Sequence, residues 1–186
     1  MGRYANSASD RGGETYCGIS RVHHPSWGGW SLVDRARSEG VDLSGDGLFG
    51  HLLPSVRSFY KDYVQSLLAD RIHAPKPVVR SITDHGVNGG KKAATHVQQD
   101  LCNQLGYSCD VDGLDGPNTR QSIRDLNDEL DQKQPSTRDT KDTLAELVAL
   151  SRIRYYIGIA NRDPSQRANL RGWINRVFEC YDARSA

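Results

Sequence analysis

The sequence predicts a mainly α protein with a small irregular or hairpin-containing lobe and a helical lobe. Apolar residues recur at steps of three and four over much of the chain after residue 50, which is the spacing of a buried helix face. Long alternating patterns, which are typical of strands, are nearly absent. The first 30 residues follow neither period and are rich in glycine. A chain of 186 residues permits one domain, or one domain with a small appended lobe.

The N-terminal elements are predicted from turns, apolar spacing and one proline. Residues 14–20 predict a short hairpin within an irregular region, and residues 31–37 predict a short helix. Pro54 fits the first turn of a helix that runs to about Asp70, since a proline there sacrifices no hydrogen bond. Apolar side chains from Val56 onward share one face of that helix.

Prolines and glycines divide the middle of the chain. Pro75 and Pro77 predict a stop in helical structure, which restarts over residues 78–83. The polar, glycine-rich run 84–90 predicts an interruption, and a helix is expected over about 91–105.

The remaining elements are predicted as helices separated by polar turns. Residues 110–116 predict a tight turn, and Pro117 opens the next helix. A polar linker over 132–138 leads to a helix over about 139–160. The pair Asp163-Pro164 begins the last helix, with the aspartate as cap and the proline at the first helical position.

Composition excludes several classes of function. The formal net charge of +1 gives no basic field for nucleic acid, so we expect no nucleic-acid partner. No apolar run approaches the roughly 20 residues needed to span a bilayer, so we expect no membrane partner. The chain opens without the pattern of a signal peptide.

The glycine-rich start of the chain carries the groups of hydrolytic chemistry. Asp10, Glu14 and Thr15 supply two carboxylates and a hydroxyl at short spacing, and the glycines let a bulky ligand approach the backbone. The ordered residues in this stretch are Gly2, Tyr4, Asn6, Asp10, Gly12, Gly13, Thr15, Gly18 and Ile19. Further motifs follow at 59–63, 84–90, 98–99, 112–119 and 172–177.

This ordered set resembles the signature of glycoside hydrolase family 108, lysozymes that cleave peptidoglycan. The resemblance implies a lysozyme-like single domain over 1–186, with a catalytic-loop region at 1–50 and a helical lobe at 51–186. A peptidoglycan-binding-like segment is expected at about 91–131. The implied activity is hydrolysis of the β-1,4 bond between N-acetylmuramic acid and N-acetylglucosamine. A catalytically inactive peptidoglycan-binding module on the same fold, or a purely structural helical domain, remains an alternative.

The resemblance also assigns catalytic roles. It implies that Asp10 is the second carboxylate and that Thr15 orients the attacking water. The family's general acid falls on position 1, where this chain has Met1, which cannot donate a proton. Three explanations stay open: the acid lies upstream of a trimmed or misassigned start, catalysis has been lost, or Glu14 has taken over the role.

Three residues are candidates for binding the sugar. Tyr4 lies in the catalytic-loop region, and Trp27 offers a ring for stacking, with packing in the core as its alternative. The amide of Asn88 offers both a donor and an acceptor to an N-acetyl group, and a simple turn is its alternative.

No metal site and no cofactor are expected. Residues 110–116 resemble the start of a calcium loop, but position 121, where the bidentate acid belongs, is Gln121. The motif is better interpreted as a turn that starts a helix. Cys102 and Cys109 are predicted to form a structural disulfide outside the cytoplasm, with four free thiols as the alternative.

Bacterial peptidoglycan is the expected partner, and a delivery system or an immunity protein remains open as a further one. The implied place of action is the periplasm or the cell wall. Because no signal peptide is recognised, delivery by a phage lysis system or a protein secretion system is expected.

The identity of position 1 generates a prediction. This chain is expected to bind peptidoglycan and to hydrolyse it poorly, because methionine stands where the resemblance places the general acid. Turbidity loss of purified sacculi, compared with the same protein extended upstream, measures the difference. Clearing by the unextended chain at rates typical of lysozymes would contradict the prediction and would make Glu14 the leading candidate for the general acid.

Overall fold

A computed structural model describes residues 3–6, 13–68, 71–133 and 138–182. The chain divides into two compact units, Met1–Tyr63 and Val64–Ala186. Five positions named above lie outside the described residues: Met1, Gly2, Asp10, Gly12 and Asp70. Among the described residues, no helix is long and apolar enough to cross a membrane.

The first unit begins with a three-stranded antiparallel sheet in the order β1-β2-β3. The strands are β1 Tyr4–Asn6, β2 Glu14–Tyr16 and β3 Ile19–Ser20. The predicted hairpin around residues 14–20 is confirmed, since β2 and β3 pair through the register Tyr16 to Ile19. β1 adds a third strand, which the sequence pattern did not predict.

The turn between β2 and β3 depends on a glycine. Cys17 and Gly18 have φ values of 49° and 82°, so both occupy the left-handed region that a tight hairpin turn requires. The hydroxyl of Tyr60 donates to the Cys17 carbonyl at 2.7 Å. A Cβ on Gly18 would lie 2.9 Å from that hydroxyl oxygen. A glycine therefore allows both the backbone turn and the close approach of the tyrosine.

Two helices cover this sheet. The predicted short helix is confirmed as α1 Trp30–Ser38. The next helix, α2 Asp46–Ser66, starts earlier than predicted and encloses Pro54. The placement of Pro54 in a first turn is therefore wrong. Leu48, Leu52 and Val56 are buried at four-residue steps across the proline, and this packing outweighs the hydrogen bond that proline cannot make.

The core of the first unit is aromatic. Tyr16 stacks on Trp27 with ring centroids 6.2 Å apart, and Trp27 meets Trp30 edge to face at 5.1 Å. The sheet and both helices contribute to one cluster of buried residues: Tyr16, Ile19, Trp27, Trp30, Val33, Ala36, Leu48, Leu52 and Val56.

Four α-helices begin within the described part of the second unit. They are α3 Lys76–Gln104, α4 Pro117–Lys133, α5 Arg138–Arg162 and α6 Arg167–Asp182. The last begins after a 3-10 turn, Pro164–Gln166, where the Asp163 side chain accepts a hydrogen bond from the Ser165 amide as predicted. α5 packs against both α3 and α6.

α3 corrects two expectations about the middle of the chain. Pro75 caps this helix and Pro77 lies in its first turn, so the prolines begin helical structure two residues before the predicted restart. The predicted interruption over 84–90 narrows to Gly90, whose φ of 84° and ψ of 174° kink an otherwise helical segment. One glycine in the left-handed region breaks the hydrogen-bond ladder, whereas its polar neighbours stay helical.

All four cysteines lie in the described part of the chain and are free thiols. The predicted disulfide between Cys102 and Cys109 is therefore not formed in this structure. Burial raises the pKa of the Cys102 thiol to about 12, which disfavours the thiolate that disulfide exchange requires.

The turn glycine generates a stability prediction. Gly18→Ala should lower the free energy of unfolding by about 1–3 kcal/mol, since alanine is strained at positive φ and its methyl group meets the Tyr60 hydroxyl. Gly28→Ala is the matched control, because Gly28 has no positive φ and no described atom within 4 Å of the added carbon. Urea unfolding of both variants measures the difference. Equal losses would show that the turn geometry contributes nothing.

Candidate functional site

The sheet separates the predicted catalytic residues onto two faces. Side chains alternate along a strand, so Thr15 projects from the face opposite to Glu14 and Tyr16. Its cross-strand partners are Ala5 and Ser20. Tyr16 is fully buried in the core, whereas on the Thr15 face Ala5 is exposed and Ser20 is 8% exposed, so this face is open on the β1 side. Thr15 itself is half-buried.

Glu14 lies between two arginines. Arg21 Nε is 2.8 Å from one carboxylate oxygen of Glu14, and Arg37 forms an ion pair with the other oxygen. The Glu14 side chain is only 13% exposed. Both oxygens therefore face guanidinium donors, and neither is directed at an open surface for proton donation.

Asp34 completes a cluster of two acidic and two basic residues, which are Glu14, Asp34, Arg21 and Arg37. It accepts from Arg21 at 2.7 Å and from Arg37 at 3.0 Å. The hydrogen bond from Arg21 is the main cause that holds the pKa of the Asp34 carboxyl below its usual value. The Arg21 guanidinium also lies over the Trp30 ring, 4.4 Å from its centroid. The cluster therefore fixes the sheet to α1.

Two of the predicted sugar-binding residues belong to this unit. Tyr4 is half-buried, and its hydroxyl accepts a hydrogen bond from Arg37 at 3.2 Å. Trp27 is 8% exposed, and its indole N–H lies 3.5 Å from the Ser55 carbonyl. Its ring packs within the aromatic core, which is the alternative stated for it above.

Asn88 belongs to the second unit. It is exposed on α3, two residues before the kink at Gly90, and its amide donates to the Asp84 carbonyl at 2.6 Å. The side chain is thus oriented back along its own helix.

A charged cluster around Asp84 was missed by the sequence analysis. Arg152, whose side chain is fully buried, donates to Asp84 at 2.7 Å and to Ser81 at 2.8 Å. Arg176 on α6 donates to the same carboxylate at 2.7 Å. Burial alone would raise the pKa of Asp84, but the hydrogen bonds and charges of both arginines outweigh it and lower the pKa.

A signal for this cluster was present in the sequence. Arg152 stands four residues after Val148 and four before Tyr156, both of which are buried. A charged residue on a buried helix face requires a buried partner, because an unpaired guanidinium is costly to desolvate. The position of that partner, however, depends on how α3 packs and could not be read locally.

His85 lies beside this cluster as a neutral group. It is fully buried, and its Nδ1 is 3.1 Å from the Tyr156 hydroxyl. Burial lowers the pKa of the imidazole to about 3. A histidine that stays uncharged at physiological pH contributes packing and a hydrogen bond to Tyr156.

Gln99 organises the turn before α4. Its amide donates to Asp112 at 2.9 Å and to Thr119 at 2.8 Å, and its oxygen accepts from the Gly113 amide at 2.7 Å. Asp112 also accepts from the Leu114 amide at 2.8 Å. The Asp112 carboxylate therefore stabilises the turn before α4, as the motif predicts.

Comparison with known proteins identifies both halves of the chain. Residues 2–90 match the family model described as Glycosyl hydrolase 108, and residues 93–178 match the one described as Predicted Peptidoglycan domain. The chain is similar to SagA of Brucella abortus, with a TM-score of 0.58 and 18% identity over 98% of this chain and 85% of that one. No curated protein gives a significant match.

These findings define a mainly α protein of the peptidoglycan-related class. The first half of the chain, residues 2–90, matches the glycosyl hydrolase 108 family, and this confirms the resemblance that its signature residues carry. The likeness to SagA supports the mainly α fold. It carries no information on activity, because proteins that share a fold at this low identity often differ in function.

The arginine-paired carboxylate generates a prediction that separates two roles for Glu14. Glu14→Gln should lower the free energy of unfolding by about 2 kcal/mol, since it weakens two partly buried ion pairs. Glu39→Gln, which affects one exposed ion pair with Arg35, should change it by less than about 0.5 kcal/mol. Thermal and urea unfolding measure both. A fully stable Glu14→Gln protein without hydrolytic activity would instead indicate a catalytic role.

Proposed function

We propose that this protein is a peptidoglycan hydrolase of the lysozyme type, an N-acetylmuramidase. The proposal rests on one observation: the chain carries a glycosyl hydrolase 108 match and a peptidoglycan-domain match side by side. In this proposal both segments act on or bind peptidoglycan. The bond cleaved is the β-1,4 bond between N-acetylmuramic acid and N-acetylglucosamine.

In this proposal the face of the sheet from which Thr15 projects belongs to the active site. Thr15 orients the attacking water, and Asp10 supplies the second carboxylate. The position of Thr15 supports its role, because the residue is half-buried on the face opposite to Tyr16 and lies beside the exposed Ala5. Glu14 takes a positioning role instead, since its oxygens are occupied by Arg21 and Arg37.

Substrate binding is proposed for two of the three candidates. The exposed amide of Asn88 contacts an N-acetyl group, and the Tyr4 hydroxyl contacts the glycan at the edge of the sheet. Trp27 is left out, because both its burial and its aromatic neighbours leave little ring surface for a sugar. The one-domain organisation, with a catalytic-loop region at 1–50 and a helical lobe at 51–186, belongs to the same proposal.

The protein is proposed to act in the periplasm or at the cell wall, where its polymer is found. Delivery by a phage lysis system or a protein secretion system completes the proposal. A catalytically inactive peptidoglycan-binding module is the second candidate, and the peptidoglycan-domain match over 93–178 favours it independently of the catalytic residues.

Product analysis tests the proposal. Purified sacculi are incubated with the protein, and soluble fragments are reduced and identified by mass spectrometry, which detects slow cleavage. Fragments with N-acetylmuramic acid at the reducing end support the muramidase. Reducing-end N-acetylglucosamine would contradict the assigned bond. Co-sedimentation with sacculi without any fragments would favour the inactive module, and the absence of both would refute both candidates.

The assigned carboxylate gives a kinetic prediction for any form of the protein that hydrolyses sacculi. Asp10→Asn should lower the rate by about 100-fold or more, because a positioned carboxylate is lost while the side-chain volume is kept. Thr15→Ala should cost less, since a second water can replace a hydroxyl. Asp62→Asn, an exposed aspartate on α2, is the control. Retention of most activity by Asp10→Asn would remove that residue from the proposed site.

A further inference from the structure

The second unit contains a groove that none of the preceding functions uses. Its volume is about 410 Å³, and it lies between α4 with its preceding turn on one side and Leu68 and Arg71 on the other. It is lined by Leu68, Arg71, Asp115, Arg120, Ile123, Arg124 and Asn127. All of these belong to the unit Val64–Ala186.

Among the described residues, the lining of the groove carries an excess of positive charge. Three arginines face one aspartate, and Asp115 binds Arg71 at 2.6 Å and Arg120 at 3.3 Å. Arg124 donates to the Gln121 side chain at 2.6 Å. A guanidinium has five N–H donors in a planar fork, so these bonds occupy only part of the donor capacity of the three arginines.

The backbone that carries Arg71 is held in place by Asn127. Asn127, 8% exposed, donates to the Arg71 carbonyl at 2.6 Å and accepts from the His73 amide at 2.8 Å. This pair of bonds fixes the backbone that carries Arg71. Ile123 is 3% exposed and forms an apolar part of the lining with Leu68. The groove therefore combines oriented guanidinium groups with a small apolar surface.

This chemistry selects a small anion with an apolar neighbour. Guanidinium forks match the planar carboxylate group and bind it through two parallel hydrogen bonds. Neutral sugars are instead bound through hydroxyl contacts and aromatic platforms, and the described lining contains no aromatic residue. A short peptide with a free carboxylate and small side chains fits both parts of the groove.

We propose that this groove binds a carboxylate of the peptide stems that peptidoglycan carries. The proposal rests on the proposed function, since it makes the peptide portion of the same polymer the ligand. Arg120 and Arg124 are both exposed and hold the carboxylate, while Asp115 positions Arg71 and Arg120. The second unit thus recognises the peptide portion of the wall independently of glycan cleavage.

The test compares two preparations of the wall. The full chain is sedimented with intact sacculi and with sacculi whose stems have been removed by an amidase and whose freed lactyl carboxylates have then been converted to amides. Binding to intact sacculi should be at least about ten-fold tighter. Equal binding to both would overturn the carboxylate site and leave the proposed function standing. No binding to either would overturn the carboxylate site, and together with the absence of soluble fragments it would refute the proposed function itself.

Two matched variants locate the binding. Arg124→Gln combined with Arg120→Gln should remove the preference for intact sacculi and leave binding to stripped glycan unchanged. Arg171→Gln, which removes an exposed arginine on α6, should keep the preference. An acetylated D-Ala-D-Ala peptide should compete for intact sacculi, whereas its C-terminal amide should not. Unchanged preference in a folded double variant, or equal competition by the amide, would overturn the proposal.

Discussion

The second unit depends on a single buried charge. The Arg152 guanidinium has lost its contact with water, and its cost is offset only because Ser81 and Asp84 of α3 lie at hydrogen-bonding distance. Asp84 in turn binds Arg176, so one carboxylate connects α3, α5 and α6. Sliding any of these helices by one turn would leave a desolvated ion without a partner. The cluster therefore fixes the helix register more strictly than apolar packing does.

The first unit uses a similar arrangement at its sheet. Glu14 and Asp34 alternate with Arg21 and Arg37, and the charges connect strand β2 to α1. The two clusters differ in solvent exposure, since the Asp34 and Arg37 side chains are 47% and 44% exposed whereas Arg152 is fully buried. Salt should weaken the first more than the second, because water and ions screen exposed pairs most strongly. The same side-chain chemistry thus contributes differently in each unit.

Local sequence rules predicted the helices but not all their boundaries. The N-cap at Asp163 and the opening of α4 at Pro117 were predictable, because capping depends on neighbouring residues. The extension of α2 across Pro54 was not, since it depends on Leu48 and Leu52 finding a core. The candidate site shows the same limit. The residue types around Thr15 were visible in the sequence, whereas the pairing of Glu14 with two arginines required the tertiary fold.

The kink at Gly90 has a consequence for how the two family segments can be separated. The glycosyl hydrolase match ends at residue 90 and the peptidoglycan match begins at residue 93, so their boundary falls inside α3. A cut there would fall beside the non-helical Gly90 and would separate the helical segments that carry Ile82 and Val97, both buried in the intact protein. Exchange of segments between related proteins at this point would require both halves of α3 to keep matching α5. The two halves of this chain are therefore joined through a shared element of secondary structure rather than through a linker.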